Sequence, residues 1–135
     1  MEGDDPKLAL LARVSLFSGL DADELAAVAG CMREIDVAPG TVVIEEGEEG
    51  GEFFIVGAGA LEIRSKGRLL AELGPGEFTG EMALMFGGRR NASAIASVPS
   101  TLFVLDKPGF AGLLERAPRV ENQLLDIVAQ RMRYR

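Results

Sequence analysis

Histidine and tryptophan are missing from this chain of 135 residues, and cysteine occurs once, at position 31. Without imidazole, the chain lacks the side chain that most often binds metals and transfers protons near neutral pH. A single cysteine cannot form an internal disulfide, and Cys31 lies among small and apolar residues, so we interpret it as a packed thiol. No apolar run approaches the roughly 18 residues that cross a bilayer, and the acidic residues 1–5 differ from a secretory leader. We therefore expect a soluble, cytoplasmic chain without a membrane segment.

Positive charge is also scarce: the sequence has 14 basic and 21 acidic residues, and its formal net charge is -7. Such a surface repels the phosphate backbone of nucleic acids, so we expect no nucleic-acid contact by this chain. An anionic ligand would have to be held by a local positive group. Hydrophobic residues make up 47% of the sequence, which is enough for one compact core and therefore for one domain.

The middle of the chain consists of short β-rich runs separated by glycine turns. The predicted strands are Glu34–Val37, Val42–Ile44, Glu52–Val56, Leu61–Ser65, Leu69–Leu73, Ala92–Val98 and Leu102–Leu105. Strands this short at this spacing indicate a sandwich or barrel. Lys66-Gly67 is predicted to form a tight hairpin turn, and Gly74-Pro75-Gly76 a second break.

Helical patterns flank this β-rich region on both sides. Residues 7–14 have helical spacing, and a second helix is predicted to begin after Asp21, which forms a capping box with Glu24, and to end near Met32. We predict a mainly β fold with flanking helices: an antiparallel β-roll of the jelly-roll type with N-terminal helices and two C-terminal helices.

The two C-terminal helices are predicted to begin at Lys107-Pro108 and at Pro118. The second carries an apolar stripe at helical spacing, formed by Val120, Leu124, Ile127, Val128 and Met132. We expect both helices to pack on the open end of the β-roll. The stripe would also suit a dimer interface.

Residues 78–93 combine groups that suit a phosphorylated ribose. Gly80 allows close approach of the backbone, and the short apolar run after it predicts one helical turn with free N–H donors, which attract anions. Glu81 can accept hydrogen bonds from sugar hydroxyls. Arg90 has a planar guanidinium suited to two phosphate oxygens, and Ser93 adds a hydroxyl donor.

This segment resembles the phosphate-binding cassette of the cyclic-nucleotide-binding domain family, whose pattern runs roughly F-G-E-x-A-L and, after a short gap, R-x-A-[ST]. The family includes the bacterial catabolite activator, protein kinase regulatory subunits and cyclic-nucleotide-gated channels. The matching residues are Gly80-Glu81-Met82-Ala83-Leu84 and Arg90-Asn91-Ala92-Ser93, with departures at Thr79 and Asn91. Upstream, the family's turns and its aromatic strand match Ala38-Pro39-Gly40, Glu46-Gly47-Glu48, Glu52–Val56 and Gly59.

The resemblance covers nearly everything from Leu16 onwards. It implies that residues 1–15 form a partly helical N-terminal extension and that residues 16–135 form the cyclic-nucleotide-binding domain. Within that domain we expect the β-roll at about 34–106 and the C-terminal helices at about 107–134.

The resemblance also implies roles for individual residues. Arg90 would clamp the cyclic phosphate, assisted by backbone N–H groups near Ala83 and Ala92 and by the Ser93 hydroxyl. Glu81 would hold the ribose 2′-hydroxyl, and Met82 lies beside it in the motif.

The contacts to the base are less determined by the sequence. Ile63 and Ala71 would point from adjacent strands toward the purine, or they are ordinary core positions. Arg131 falls where some channel-type members place a lid over the base, although a cation near a helix C-terminus is favourable without any ligand. Asn91 can accept from the 2-amino group of guanine or donate to the phosphate. We favour cAMP over cGMP, as the commoner ligand.

The resemblance implies a regulatory module that binds cAMP or cGMP and moves its C-terminal helices, without a cofactor, a metal or an enzymatic activity. Its partners would be the cyclic nucleotide and either a second copy in a homodimer or an effector domain. One alternative is a ligand-blind β-roll that serves as a scaffold for dimerisation or protein interaction. A metal-dependent jelly-roll enzyme of the cupin type is a weaker alternative, because its metal is held mostly by histidines.

Overall fold

A computed structural model describes residues 6–134, without the side chains at positions 6, 15, 83, 84, 86 and 131–134. Within these residues the helices are α1 (Pro6–Ala12), a 3-10 turn (Ser15–Phe17), α2 (Ala22–Gly30), α3 (Glu81–Phe86), α4 (Lys107–Arg116) and α5 (Pro118–Tyr134). The strands are β1 (Arg33–Val37), β2 (Val42–Ile44), β3 (Glu52–Ala58), β4 (Leu61–Ser65), β5 (Arg68–Leu73), β6 (Phe78–Thr79), β7 (Ser93–Ala96) and β8 (Ser100–Asp106).

The strands form two antiparallel four-stranded sheets, in the orders β1-β8-β3-β6 and β2-β7-β4-β5. The predicted antiparallel β-roll is therefore confirmed. Predicted strand ends agree with the observed ones to within one or two residues. The two-residue strand β6 was not predicted, because it is very short and pairs with residues of β3 that lie more than twenty positions earlier in the chain.

Both faces of the central strands β3 and β8 are buried, which explains their continuous apolar sequences. Phe54 and Val56 of β3 pack toward the second sheet, whereas Phe53 and Ile55 pack toward the helices. Strand β8 follows the same alternation in register with β3. A strand with two covered faces requires apolar residues at successive positions instead of alternate ones.

The helices cover the outer face of this first sheet. Phe110 of α4 lies 5.6 Å from the Phe53 ring, centroid to centroid, and Val120, Leu124 and Val128 of α5 are buried in the same cluster. The sequence predicted packing on the open end of the roll. The helices instead pack on the outward apolar side chains of β3 and β8. The segment expected to be an N-terminal extension joins this core through the buried residue Leu11.

Local sequence signals fix several helix ends and turns. The backbone N–H of Glu24 donates to Asp21 Oδ1 at 2.8 Å, and that of Asp21 donates to Glu24 Oε1 at 3.0 Å, so the predicted capping box is confirmed. Lys66 and Gly67 both have positive φ, 52° and 79°, as the predicted two-residue hairpin turn requires. Asp106 caps α4 by accepting from the N–H of Gly109 at 2.8 Å.

In the part of the chain that the structure describes, no helix is both long enough and apolar enough to cross a membrane.

Candidate functional site

A cleft of about 150 Å³ lies between α3, the segment that follows it and the inner face of the second sheet. Its lining residues come from four places in the sequence: Ile44, Ile63, Thr79–Met82 and Gly87 with Arg89–Ala94. Eight of the residues predicted for the ligand site therefore meet in one cleft: Ile63, Gly80, Glu81, Met82, Arg90, Asn91, Ala92 and Ser93.

Gly80 is required where the chain enters α3. Its φ is +98°, and a Cβ there would lie 2.7 Å from the Glu52 carbonyl oxygen and 3.1 Å from Arg90 Nη1. A side chain at this position would meet both an unfavourable backbone conformation and a steric clash. The glycine thus allows β3 and Arg90 to approach the first turn of α3.

Arg90 is the buried cation of the cleft, with only 8% of its surface exposed. Nη1 donates to the carbonyl of Gly80 at 3.0 Å, and Nη2 donates to the carbonyl of Glu52 at 2.6 Å. Burial lowers the pKa of Arg90, and the negative charges of Glu52 and Glu81 partly offset this effect. Because a guanidinium carries five N–H donors, these two bonds fix its position and leave donors for an anion.

Gly50 also determines the position of Arg90, and the sequence did not indicate this role. A Cβ on Gly50 would lie 1.8 Å from Arg90 Nε and 2.2 Å from Cζ. The backbone of this glycine therefore packs directly on the guanidinium, and only glycine leaves room for it. No local feature of the sequence indicates this role, because the arginine that Gly50 accommodates lies forty residues later.

Glu81 is the acidic residue of the cleft and is 2% exposed. It is the first residue of α3, so its carboxylate also lies at the helix N-terminus, where negative charge is favourable. Its charge acts on Arg90, which shows that the two groups share one electrostatic environment. A single ligand can thus contact an acid and a cation in the same cleft.

Ser93 and Asn91 line the cleft on the side of β7. The Ser93 Oγ accepts a hydrogen bond from the backbone N–H of Glu46 at 2.9 Å. Asn91 is exposed, so its amide lies where the cleft meets solvent. Ala92 lies between them and is partly buried against the core of the second sheet.

The remaining predicted residues differ in how far the structure describes them. Ile63 lines the cleft and is paired with Ala71 across β4 and β5. Ala71 is not among the described residues that line the cleft, and it packs against the core between the sheets. Ala83, whose backbone N–H was predicted to assist at the phosphate, lies in α3. The side chain of Arg131, predicted to lie over the base, is outside the described residues.

Several lining residues were not predicted. Ile44 and Ala94 come from β2 and β7, where alternation within each strand could have indicated that they face the cleft. Thr79 comes from β6, the strand that was not predicted. Arg89 is exposed, but it also lines the cleft, and its Nη1 donates to the carbonyl of Gly47 at 2.8 Å.

A second cavity, of about 290 Å³, is bordered by α3 and by the two C-terminal helices. It is lined by Met85 of α3, by Lys107, Phe110, Ala111 and Leu114 of α4, and by Glu121 of α5. The helix that begins at Glu81 in the cleft therefore borders the C-terminal helices through a loosely packed region.

The chemistry of the cleft suits binding of an anion with neighbouring hydroxyl groups. The acid is buried at a helix N-terminus, and the arginine is held by two carbonyls. Among the described residues, no cluster of three or more cysteines, aspartates or glutamates is placed to hold a metal ion.

Comparison with known proteins identifies the family. The family model for the cyclic nucleotide-binding domain, which describes the sequence pattern of that family, matches residues 34–117. This range includes every residue that lines the cleft. A CRP-like cAMP-activated global transcriptional regulator of Mycobacterium tuberculosis is 29% identical over 92% of this chain and 58% of its own length. A cGMP-dependent protein kinase of Caenorhabditis elegans, egl-4, is 33% identical over 72% of this chain and 12% of its own length.

Solved structures agree with this assignment. The crystal structure of the Thermus thermophilus catabolite activator protein superposes with a TM-score of 0.82 and 32% identity, over 87% of this chain and 58% of that one. The chain spans little more than half the length of that protein and of the M. tuberculosis regulator. The fold, the cleft and the matched residues together show that the chain belongs to the cyclic nucleotide-binding domain family.

Proposed function

We propose that this domain binds a cyclic nucleotide intact, as a regulatory sensor without enzymatic activity. The observation that carries the proposal is the buried guanidinium of Arg90, fixed by two backbone carbonyls in the same cleft as Glu81. A fixed guanidinium suits a phosphate, because two of its N–H groups can bond two oxygens at once. The carboxylate of Glu81 suits a ribose hydroxyl, since a carboxylate only accepts hydrogen bonds.

The ligand we propose is cAMP in preference to cGMP. The M. tuberculosis relative is described as cAMP-activated and the C. elegans relative as cGMP-dependent, and their identities to this chain are similar, 29% and 33%. Asn91, at the exposed side of the cleft, is the residue whose amide can distinguish the bases by accepting from the 2-amino group of guanine. Such a bond would favour cGMP, so a higher affinity for cAMP would argue against this role of Asn91.

The regulatory output we propose is a movement of residues 107–134. The support for it is the second cavity, since Met85 of α3 borders it together with Phe110 and Leu114 of α4. A ligand that shifts α3 would change the packing of this region. It can move the helices only to the extent that it binds their two arrangements with different affinity.

A ligand-blind scaffold is the alternative function, and exposed leucines favour it. Leu69 and Leu70 on the edge strand β5 and Leu125 on α5 are each at least 44% exposed. The apolar stripe predicted as a dimer interface does not support this alternative, because Val120, Leu124 and Val128 are buried within the domain itself.

The experiment that tests the proposal is calorimetric titration with cAMP and cGMP, on protein that has been unfolded and refolded to remove carried nucleotide. We expect saturable binding of one nucleotide per chain, with higher affinity for cAMP. Arg90→Ala should weaken binding by about 2–5 kcal/mol, because the phosphate loses its charged partner. Arg13→Ala, which removes the same charge from an exposed position outside the cleft, is the matched control.

If titration with cAMP and with cGMP gave no heat of binding, the result would favour the ligand-blind scaffold. Arg90→Lys separates charge from geometry, because lysine keeps the charge and loses the planar fork. If Arg90→Ala bound as tightly as the wild type, the assignment of the phosphate site would be wrong.

A further inference from the structure

The loop at residues 45–51 contributes no lining residue to the cleft. It nevertheless contacts the segment that carries Arg90 and Ser93, the two side chains proposed to bind the anion. The N–H of Gly47 donates to the carbonyl of Arg90 at 2.9 Å, and the N–H of Arg90 donates to the carbonyl of Glu48 at 2.8 Å. A bridge between Glu49 and Arg89 continues this pairing. The loop therefore holds the backbone of Arg90 from outside the cleft.

The same loop determines how the Ser93 hydroxyl is used. The backbone N–H of Glu46 donates to Ser93 Oγ at 2.9 Å. A hydroxyl has one hydrogen to donate and two lone pairs, so a bond accepted from Glu46 leaves the hydrogen of Ser93 available. Because Ser93 lines the cleft, that hydrogen can be directed to an anion there.

The side chain of Glu46 fixes the loop to the hairpin formed by β4 and β5. The Ser65 hydroxyl donates to Glu46 Oε2 at 2.6 Å, and the backbone N–H of Lys66 donates to Oε1 at 3.0 Å. Ser65 follows Ile63 by two residues on β4, and Ile63 lines the cleft. Both carboxylate oxygens are therefore engaged, and one residue connects the β4–β5 hairpin with Ser93.

These two hydrogen bonds also act on the carboxyl itself. Both bonds lower the pKa of Glu46, and the bond from Ser65 has the larger effect. The positive charge of Lys66 lowers this pKa further, whereas burial raises it. The group therefore remains a carboxylate, which accepts both bonds.

We infer that Glu46 is a positioning residue for ligand binding, which holds the 45–51 loop so that its own backbone N–H orients the Ser93 hydroxyl toward the ligand. This inference rests on the proposed function. It extends the ligand site to Glu46 and Ser65, two side chains that do not line the cleft.

The test is the affinity of Ser65 variants for cAMP, measured by calorimetry. Ser65→Ala removes the short hydrogen bond to Glu46 without altering the cleft lining, and we expect affinity to fall about 3- to 10-fold, the equivalent of one hydrogen bond. Ser65→Thr keeps the hydroxyl and should retain most of the affinity. Ser97→Ala, the same change at a partly buried serine outside this network, should leave affinity unchanged.

A coupling measurement separates positioning from general stabilisation. Glu46→Gln should weaken binding about as much as Ser65→Ala, and the double variant should be no weaker than the worse single variant, because both changes break one connection. In a Ser93→Ala background, Ser65→Ala should lose its effect, since the hydroxyl to be oriented is gone. A merely structural role would give the same loss in both backgrounds.

The outcomes distinguish this inference from the proposed function. Wild-type affinity in Ser65→Ala and Glu46→Gln, together with weakened binding by Arg90→Ala, would overturn the positioning role and leave the nucleotide site intact. An equal effect of Ser65→Ala with and without Ser93 would also overturn it. No binding by the wild type would overturn both the function and the inference.

Discussion

Substituting Gly50 by alanine would place a methyl group on the guanidinium of Arg90. The added Cβ would lie 1.8 Å from Nε and 2.2 Å from Cζ, so the two cannot occupy these positions together. Gly50 is not among the glycines with positive φ, so its backbone conformation is open to alanine. The clash with Arg90 is therefore the main consequence of the substitution.

The magnitude follows from the contacts that Arg90 makes. Its bonds to the carbonyls of Gly80 and Glu52 join a charged donor to a backbone acceptor, and such bonds contribute about 1.5–3 kcal/mol each. Because the guanidinium is the end of a flexible side chain, we expect it to move and to lose one of the two bonds. The free energy of unfolding should then fall by about 1.5–3 kcal/mol, and cAMP affinity should fall by about 10- to 100-fold.

The assays are urea denaturation for stability and calorimetry for affinity. Gly51→Ala is the matched control, since a Cβ there has no atom within 4 Å. In an Arg90→Ala background, Gly50→Ala should no longer destabilise, because the clashing group is absent. If Gly50→Ala lowered stability equally with and without Arg90, our explanation of this glycine would be refuted.

Three further predictions concern other parts of the domain. Asp106→Ala should lower the free energy of unfolding by about 1 kcal/mol in urea denaturation, because the N–H of Gly109 loses its cap; unchanged stability would contradict this. The pKa of Glu46 is lowered below its ordinary value of 4.5, so the stability it contributes is present above that pH and lost as the pH falls through the lowered value. As the pH falls from 5 to 3, the free energy of unfolding measured by urea denaturation should therefore decrease less in Glu46→Gln than in the wild type. Equal decreases in the two proteins would argue against a lowered pKa of Glu46. Glu81→Ala should reduce the preference for cAMP over 2′-deoxy-cAMP in calorimetry, and a wild type that binds both equally would contradict a bond to the 2′-hydroxyl.

Features that depend on neighbouring residues were predictable from the sequence. The capping box at Asp21, the turn at Lys66-Gly67 and the strands Val42–Ile44 and Leu61–Ser65 were predicted as they occur. Each depends on propensities or hydrogen bonds within a few residues. The cap at Asp106 is equally local, and the sequence Asp-Lys-Pro could have indicated it.

Features that depend on distant residues were not predictable in this way. Gly50 is needed only because Arg90 packs on it, and nothing near Gly50 in the sequence shows this. The direction in which α5 packs depends on which face of the first sheet is apolar and open, and that becomes known only when β3 and β8 are paired. Recognition of the motif at residues 80–93 identified most of the cleft, because the residues it names are close together in the sequence.

The central position of β8 has a consequence for how the chain folds. This last strand pairs with both β1 and β3, joining Arg33 to Val104 and Glu52 to Asp106. Most strand pairs in the roll join distant parts of the chain in this way, and among the described strands only β4 and β5 form a tight hairpin. Such a high mean sequence separation predicts slow folding, on the order of milliseconds to seconds. During synthesis the first sheet cannot form until Asp106 has left the ribosome, so a fragment ending before β8 should remain without a stable roll.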